Sequence, residues 1–279
     1  MNDLEPIGDL QHPVVRRETC SLAAVRRIAA MLNQDPDKWS ENDLLPRGWQ
    51  FILLGADTKR SDLREDGFPG LGVSLPDLGL PRLMLGGRTV HYNGDIRIGA
   101  VLQRESQIQK LTRKEAANGP MAFVTVAHAL HDAEGQGPIL VETQNYILLG
   151  AKPTSRKATT PAAGMPSGTT KLIVPDDTLL FQYSALGFNS HKIHLDRTFA
   201  RETEGFPDLV VNGGLATLLL TEFLRLELKG AFTSLTAKHV APLFRGRPVS
   251  LWGERQNDGW LLRAFDDNGV LAVDIEARP

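Results

Sequence analysis

The chain has 279 residues, 42% of them hydrophobic and 23% charged, which suits a folded globular protein of one large or two smaller domains and excludes a disordered or fibrous one. Lys and Arg number 31 against 33 Asp and Glu, a formal net charge of -2 with no long run of either sign, so no basic stripe is present to neutralise nucleic-acid phosphates. The acidic start from Met1 to Leu10 lacks the positive end and apolar run of a signal peptide, and no stretch reaches the roughly 18 apolar residues of a membrane span, so a cytoplasmic protein with no membrane or nucleic-acid partner is expected.

In chain order, Leu22, Val25, Ile28 and Leu32 recur at helical spacing behind a capping residue, Thr19 or Ser21, which predicts a helix with one apolar face. The single cysteine, Cys20, cannot form an internal disulfide and is expected to pack as a small core residue of that helical stretch. The run Gly67-Phe68-Pro69-Gly70-Leu71-Gly72 resembles a phosphate loop only superficially, since it lacks the preceding strand, the following helix and the lysine. It reads as a mobile surface loop that could cover a pocket. Val101 to Lys110, Met121 to His131 and Ile139 to Leu149 are strand-like, with turn signals at Asn118-Gly119 and from Glu134 to Gly137. His91 and His239 sit in strand-like segments and read as packing or surface residues.

From Gly150 to Thr170, Pro, Gly, Ser, Thr and Ala replace the apolar periodicity, which marks a linker over 151–170 between an N-terminal half, 1–150, and a C-terminal half, 171–279. Beyond it, one apolar strand leads directly into the segment Phe181 to Leu220. Leu215 to Leu228 is apolar over most of its surface, enters at Gly213-Gly214 and stops at Lys229-Gly230, the pattern of a buried helix with a glycine exit. Phe232 to Val240, Pro248 to Arg255, Trp260 to Asp266 and Leu271 to Glu276 are strand-like, with turns at Asn257-Asp258-Gly259 and Asp267-Asn268-Gly269. Each half thus holds a helix followed by an antiparallel meander. A central helix wrapped by a curved sheet is the hot-dog arrangement, so the expected fold is α+β, a double hot-dog in one chain.

Polar, reactive groups concentrate between Phe181 and Leu220, where Gly187, Asn189 and Ser190 break regular patterns and place Asn189, His191, His194 and Asp196 on a loop. Ser184-Ala185-Leu186, Phe188-Asn189, His191-Lys192-Ile193-His194-Leu195-Asp196, Glu204-Gly205-Phe206-Pro207 and Leu209-Val210-Val211 follow one another ahead of the buried helix. This succession resembles the signature of the MaoC-like hydratases, in particular their type-2 hydroxyacyl-thioester dehydratase and mesaconyl-coenzyme A hydratase branch. Leu45-Pro46-Arg47-Gly48-Trp49, Leu80-Pro81-Arg82-Leu83-Met84 and Ile96-Arg97-Ile98-Gly99 are similar to that family's landmarks in the first half.

The resemblance implies a double hot-dog hydro-lyase acting on an enoyl, an unsaturated dicarboxylic (mesaconyl- or itaconyl-like) or a 3-hydroxyacyl thioester of coenzyme A, with no metal or redox cofactor. It implies that Asn189 and His194, five positions apart, hold the catalytic water. Hydration of a conjugated thioester needs proton transfer from water and to the alpha carbon. A histidine suits that work because its ordinary pKa, about 6.5, lies near working pH. An asparagine cannot take a proton, so Asn189 would orient the water. Gly213 and Gly214, at the start of a buried helix, are candidates to offer backbone N–H groups to the developing enolate oxygen. The family's His-Gly-Pro reads Asn212-Gly213-Gly214 here, a departure that bears on substrate range. Ser184, His191 and Asn212 are further substrate-binding candidates, and Arg245 and Arg247 are candidates for coenzyme A phosphates. The loop from Asn33 to Lys38, the counterpart in the first half, carries no histidine, so one active site per chain is expected, with the first half as the wall for the acyl group.

Other readings stay open on the residues alone. His191-x-x-His194 with Asp196 also fits a weak metal site, and His194 also fits a structural histidine. A hot-dog thioesterase is the second enzyme class, although Glu222 lies too deep in the helix to be its base, and an acyl-binding protein without turnover is the non-enzymatic alternative. A homodimer formed through sheet edges is expected.

Overall fold

The computed structural model describes residues 5–6, 12–116, 119–132, 135, 137–150 and 167–279. The elements run β1 (Glu5–Pro6), β2 (Val14–Thr19), α1 (Leu22–Met31), β3 (Arg82–Tyr92), β4 (Val101–Ala116), β5 (Gly119–His131), β6 (Leu140–Leu149), β7 (Thr169–Ile173), α2 (Asp177–Leu186), α3 (Gly213–Leu226), β8 (Ser234–His239), β9 (Val249–Gln256), β10 (Gly259–Phe265) and β11 (Leu271–Arg278). The strands form one 11-stranded sheet in the order β1-β4-β5-β6-β3-β8-β11-β10-β9-β7, with β2 also on β4, and every pairing is antiparallel. This is the α+β double hot-dog: α3 lies against β9, β10 and β11, and α1 meets α2. No helix among the described residues is long and apolar enough to cross a membrane.

Local chemistry accounts for the helices. Ser21 caps α1 by accepting from the N–H of Ala24, and the face holding Val25, Ile28 and Ala29 is buried. Cys20 is buried as expected, but it precedes that cap rather than lying in the helix. Asp176 caps α2 by accepting from the N–H of Leu179 at 2.8 Å, and Leu180, Tyr183 and Ser184 form its buried stripe. This helix corrects the expectation of an apolar strand running up to Phe181, since β7 ends at Ile173. Helix α3 begins at Gly213 and Gly214, as expected, and ends at Leu226, two residues before the expected Leu228. At its exit the left-handed residue is Lys229 (φ 53°) rather than Gly230.

The strand β3 is expected from the sequence only as the strand-like surroundings of His91, and it joins the two sets of strands. It pairs with β8 from Gly87 opposite Lys238 to His91 opposite Ser234, and a register irregularity falls between Leu85 and Gly87. A side chain on Gly87 would meet the Ala237 carbonyl oxygen at 2.5 Å, so glycine is required by close approach across the junction. The apolar core runs through that junction, from Val25, Ile28 and Trp49 to Leu215, Phe223 and Ile275. A second cluster packs Phe68, Leu71 and Leu80 onto Ile108, Val124, Val126 and Leu148. The Gly67 to Gly72 segment, expected as a surface loop, therefore buries two apolar side chains. Of the expected linker, 151–166 lie outside the described residues, and Thr169 and Thr170 already belong to β7. The expected turns at Asn118 and from Glu134 to Gln136 fall largely outside the described residues as well.

Candidate active site

The loop after α2 is built by hydrogen bonds that leave little freedom. Gly187 N–H returns to Tyr183 O at 3.0 Å, Asn189 N–H returns to Ser184 O at 2.7 Å, and Phe188 between them takes a left-handed conformation (φ 49°). The Asn189 side-chain oxygen accepts from the N–H of His191 at 3.1 Å, which leaves the Asn189 amide NH2 for another partner. A short 3-10 turn, Lys192–His194, then buries the His194 ring. His194 Nδ1 lies 2.7 Å from the carbonyl of Val210, which can only accept, so Nδ1 carries the proton and Nε2 presents a lone pair. Burial pushes the His194 pKa down to about 3, aided by the neighbouring His191 and opposed by the Val210 bond. His191 is likewise held down at about 4 by burial, against the pull of Asp66.

These groups open onto a cavity of about 230 Å³. It brings together Asn189, His191, His194, Asn212, Gly213 and Gly214. Ser184 stands one layer behind, where its hydroxyl accepts from Asn212 Nδ2 at 3.2 Å. Arg245 and Arg247 lie outside: Arg245 binds Asp177 at 2.6 Å and lies 3.8 Å from Asp208, and Arg247 sits over the Phe244 ring, 3.9 Å from Asp267. His191, His194 and Asp196 do not converge as a metal set, because the Asp196 carboxylate caps the N–H of Phe199. Among the described residues no three such side chains are grouped to hold a metal. Glu222 is engaged by Gln34, Trp49 and Arg225, and no carboxylate lines the cavity among the described residues.

Residues 64–67 of the first half hold the loop that carries Ser190 and Lys192. Ser190 donates to Gly67 O at 2.6 Å, Lys192 Nζ to Glu65 O at 2.6 Å, and Lys192 N–H to Asp66 O at 2.8 Å. Arg64 grips the Asp66 carboxylate at 3.1 to 3.3 Å. The half-buried pair between Arg82 and Glu204, 2.7 Å apart, ties the Glu204 to Pro207 stretch to β3.

Sequence reasoning missed six polar lining residues: Arg88, His128, Gln144, Tyr146, Tyr183 and His239. His239, expected to be packing or surface, lines the cavity, where burial first and then Arg88 hold its pKa down at about 3. A usable signal lay in β6, where Glu142, Gln144 and Tyr146 recur at every second position and so share one face of the strand.

The profile of the hydroxyacyl-thioester dehydratase type 2 family matches residues 48–245. The chain belongs to that family. Mesaconyl-C(4)-CoA hydratase of Chloroflexus aurantiacus is 32% identical over 254 residues, covering 90% of each chain. The mitochondrial hydroxyacyl-thioester dehydratase type 2 of Schizosaccharomyces pombe is 22% identical over 80% of this chain and 82% of its own. In fold, the chain is similar to the crystal structure of a MaoC-like dehydratase from Phytophthora capsici, with a TM-score of 0.69 over 96% of both chains at 13% identity. This member of the type 2 family is accordingly a hydro-lyase of acyl thioesters.

Proposed function

We propose that the chain adds water reversibly to a short α,β-unsaturated acyl thioester of coenzyme A, the class that includes the mesaconyl thioester in the name of the bacterial relative. The observation that carries this reading is the buried His194 ring, with Nδ1 bound to Val210, lining the same cavity as Asn189, whose amide NH2 has no partner among the described residues. In the scheme, Asn189 Nδ2 donates to the water oxygen and the water donates to His194 Nε2. As Nε2 takes the proton, the oxygen bonds to the beta carbon and the double-bond electrons move onto the thioester, giving an enolate. The N–H groups of Gly213 and Gly214, free of intrahelical partners at the start of α3, hold the enolate oxygen. His194 Nε2–H then returns its proton to the alpha carbon, which restores the carbonyl and the neutral ring. Every proton is accounted for without a metal or redox cofactor. Dehydration is the same path reversed.

Arg247, less engaged than Arg245, is the better placed of the two for a coenzyme A phosphate. The same reading includes a homodimer, for which the outer edge of β7 and the exposed Leu172 and Val174 offer a surface. Sedimentation tests that part. For the reaction, absorbance-monitored hydration of crotonyl, mesaconyl, itaconyl and longer thioesters is measured with wild type and His194→Ala. Turnover of at least one substrate is expected, with a loss of about 100-fold or more in the variant. Binding without turnover by the wild type would replace the enzyme with an acyl-binding protein.

A further inference from the structure

Among the described residues, five buried side-chain atoms lack a hydrogen-bond partner, and three of them, Arg88 Nε, Asn212 Oδ1 and His239 Nε2, belong to residues that line the cavity. Arg88 is only 9% exposed, and its position is tightly set. Its Nη1 donates to Glu142 Oε1 at 3.1 Å, and Glu142, fully buried, also accepts from Gln50 at 3.0 Å and Gln144 at 2.7 Å. Glu142 therefore neutralises the guanidinium and orients it from one side. The opposite edge, formed by Nε and Nη2, has no hydrogen-bond partner among the described residues. It reaches the start of α3, where Nη2 lies 3.2 Å from the position a side-chain carbon on Gly214 would occupy.

Two parallel N–H donors on a fixed planar group match the two oxygens of a carboxylate. An aliphatic acyl tail would leave that edge unsatisfied, at the cost of a buried unpaired donor. A single enolate oxygen would use only one of the two and is already served by the backbone at Gly213 and Gly214. Gln144 and Tyr146, beside Arg88 in the lining, keep this wall polar.

We propose that the Nε–Nη2 edge of Arg88 binds a carboxylate at the far end of the acyl group, so that the substrate is the thioester of a short dicarboxylic acid and Arg88 sets that preference. The inference rests on the hydration reading of the same cavity, yet its test does not depend on turnover. Succinyl-coenzyme A and butyryl-coenzyme A share a four-carbon acyl backbone, differ in the terminal carboxylate, and have no double bond to hydrate. Calorimetric titration of the wild type is expected to give succinyl-coenzyme A the tighter binding by about tenfold to a hundredfold, the worth of charge-assisted hydrogen bonds. Arg88→Lys, which keeps a cation beside Glu142 but loses the paired donors, is expected to lose most of that ratio, and Arg88→Met all of it, with thermal melts reporting the fold of each. Equal affinities in the wild type, or an undiminished ratio in folded Arg88→Lys, would overturn the proposal. Absence of hydration of every enoyl thioester would instead overturn the reaction, so the two failures are separable.

Discussion

The Nδ1–H of His194 donates to the carbonyl of Val210 across 2.7 Å, and this bond selects the ring nitrogen that faces the cavity. The carbonyl belongs to the stretch leading into α3, and Val210 N–H returns to Ile193 O at 2.9 Å, so the histidine and the helix start are positioned by one another.

Because burial holds the His194 pKa down at about 3, its protonation does not intrude between pH 8 and pH 5. The acid limb of kcat/KM, which reports the free enzyme, is expected to lie well below the ordinary histidine value of about 6.5. Initial rates after brief pH jumps check this. A limb centred near 6.5 would mean that the ring is solvated in the working enzyme.

Stability should respond to acid in the opposite region. His128 and His191 are held down at about 4, and His194 and His239 at about 3, each chiefly by burial. Between those values and the unfolded value of about 6.5, the unfolded chain binds protons that the folded chain refuses, so stability is full above about 6.5 and falls as pH drops. Each such group contributes a slope of up to about 1.4 kcal/mol per pH unit. Urea midpoints at pH 7 and pH 5 should differ accordingly. His128→Gln, which can still hydrogen-bond Ser106, should flatten the dependence.

A side chain on Gly214 would fall against the Tyr183 hydroxyl, and Tyr183 cannot retreat because its ring stacks on Phe51 at 4.6 Å. Gly214→Ala is expected to cost about 1 to 3 kcal/mol by overpacking and to lower kcat. Tyr183→Phe added to it should recover part of the stability. Gly213→Ala, which meets the His239 ring at 3.2 Å, should be the milder change. Thermal melts and kcat for the three variants rank the effects.

Gly67 has φ 76°, and a side chain there would meet Ser190 O at 2.5 Å, whereas Gly79 has φ 66° with nothing within 4 Å. Both alanine variants carry the left-handed penalty of about 1 kcal/mol, but only Gly67→Ala pushes on the loop from Asn189 to His194. Hydration rates should fall for Gly67→Ala and stay near wild type for Gly79→Ala. Equal rates would show that the Gly67 contact is not transmitted to His194.

What could be read from the sequence was what local chemistry encodes. The cap and apolar stripe of α1, the seven alternating strands of the two meanders, and the Asn189 to Gly214 motifs all appear where expected, within a few residues. The elements that escaped have nonlocal causes. Gly87 is demanded by the approach of Ala237 on another strand, which no local pattern encodes. Helix α2 is short and apolar enough to pass for a strand. The polar wall is assembled by register: Arg88 stands opposite Gln144, and Glu142 stands opposite both Val90 and His128. No single segment contains that set.

In the proposed scheme the cavity draws its proton chemistry from the loop after α2 and its polar wall from β3, β5 and β6. A substitution at Arg88 or Gln144 leaves the nitrogen that handles the proton untouched, while one at Asn189 or His194 leaves the wall untouched. On those proposed roles, divergence within such a lineage has two separate dials: drift at Arg88 and Gln144 retargets the reaction, and drift at Asn189 and His194 silences it.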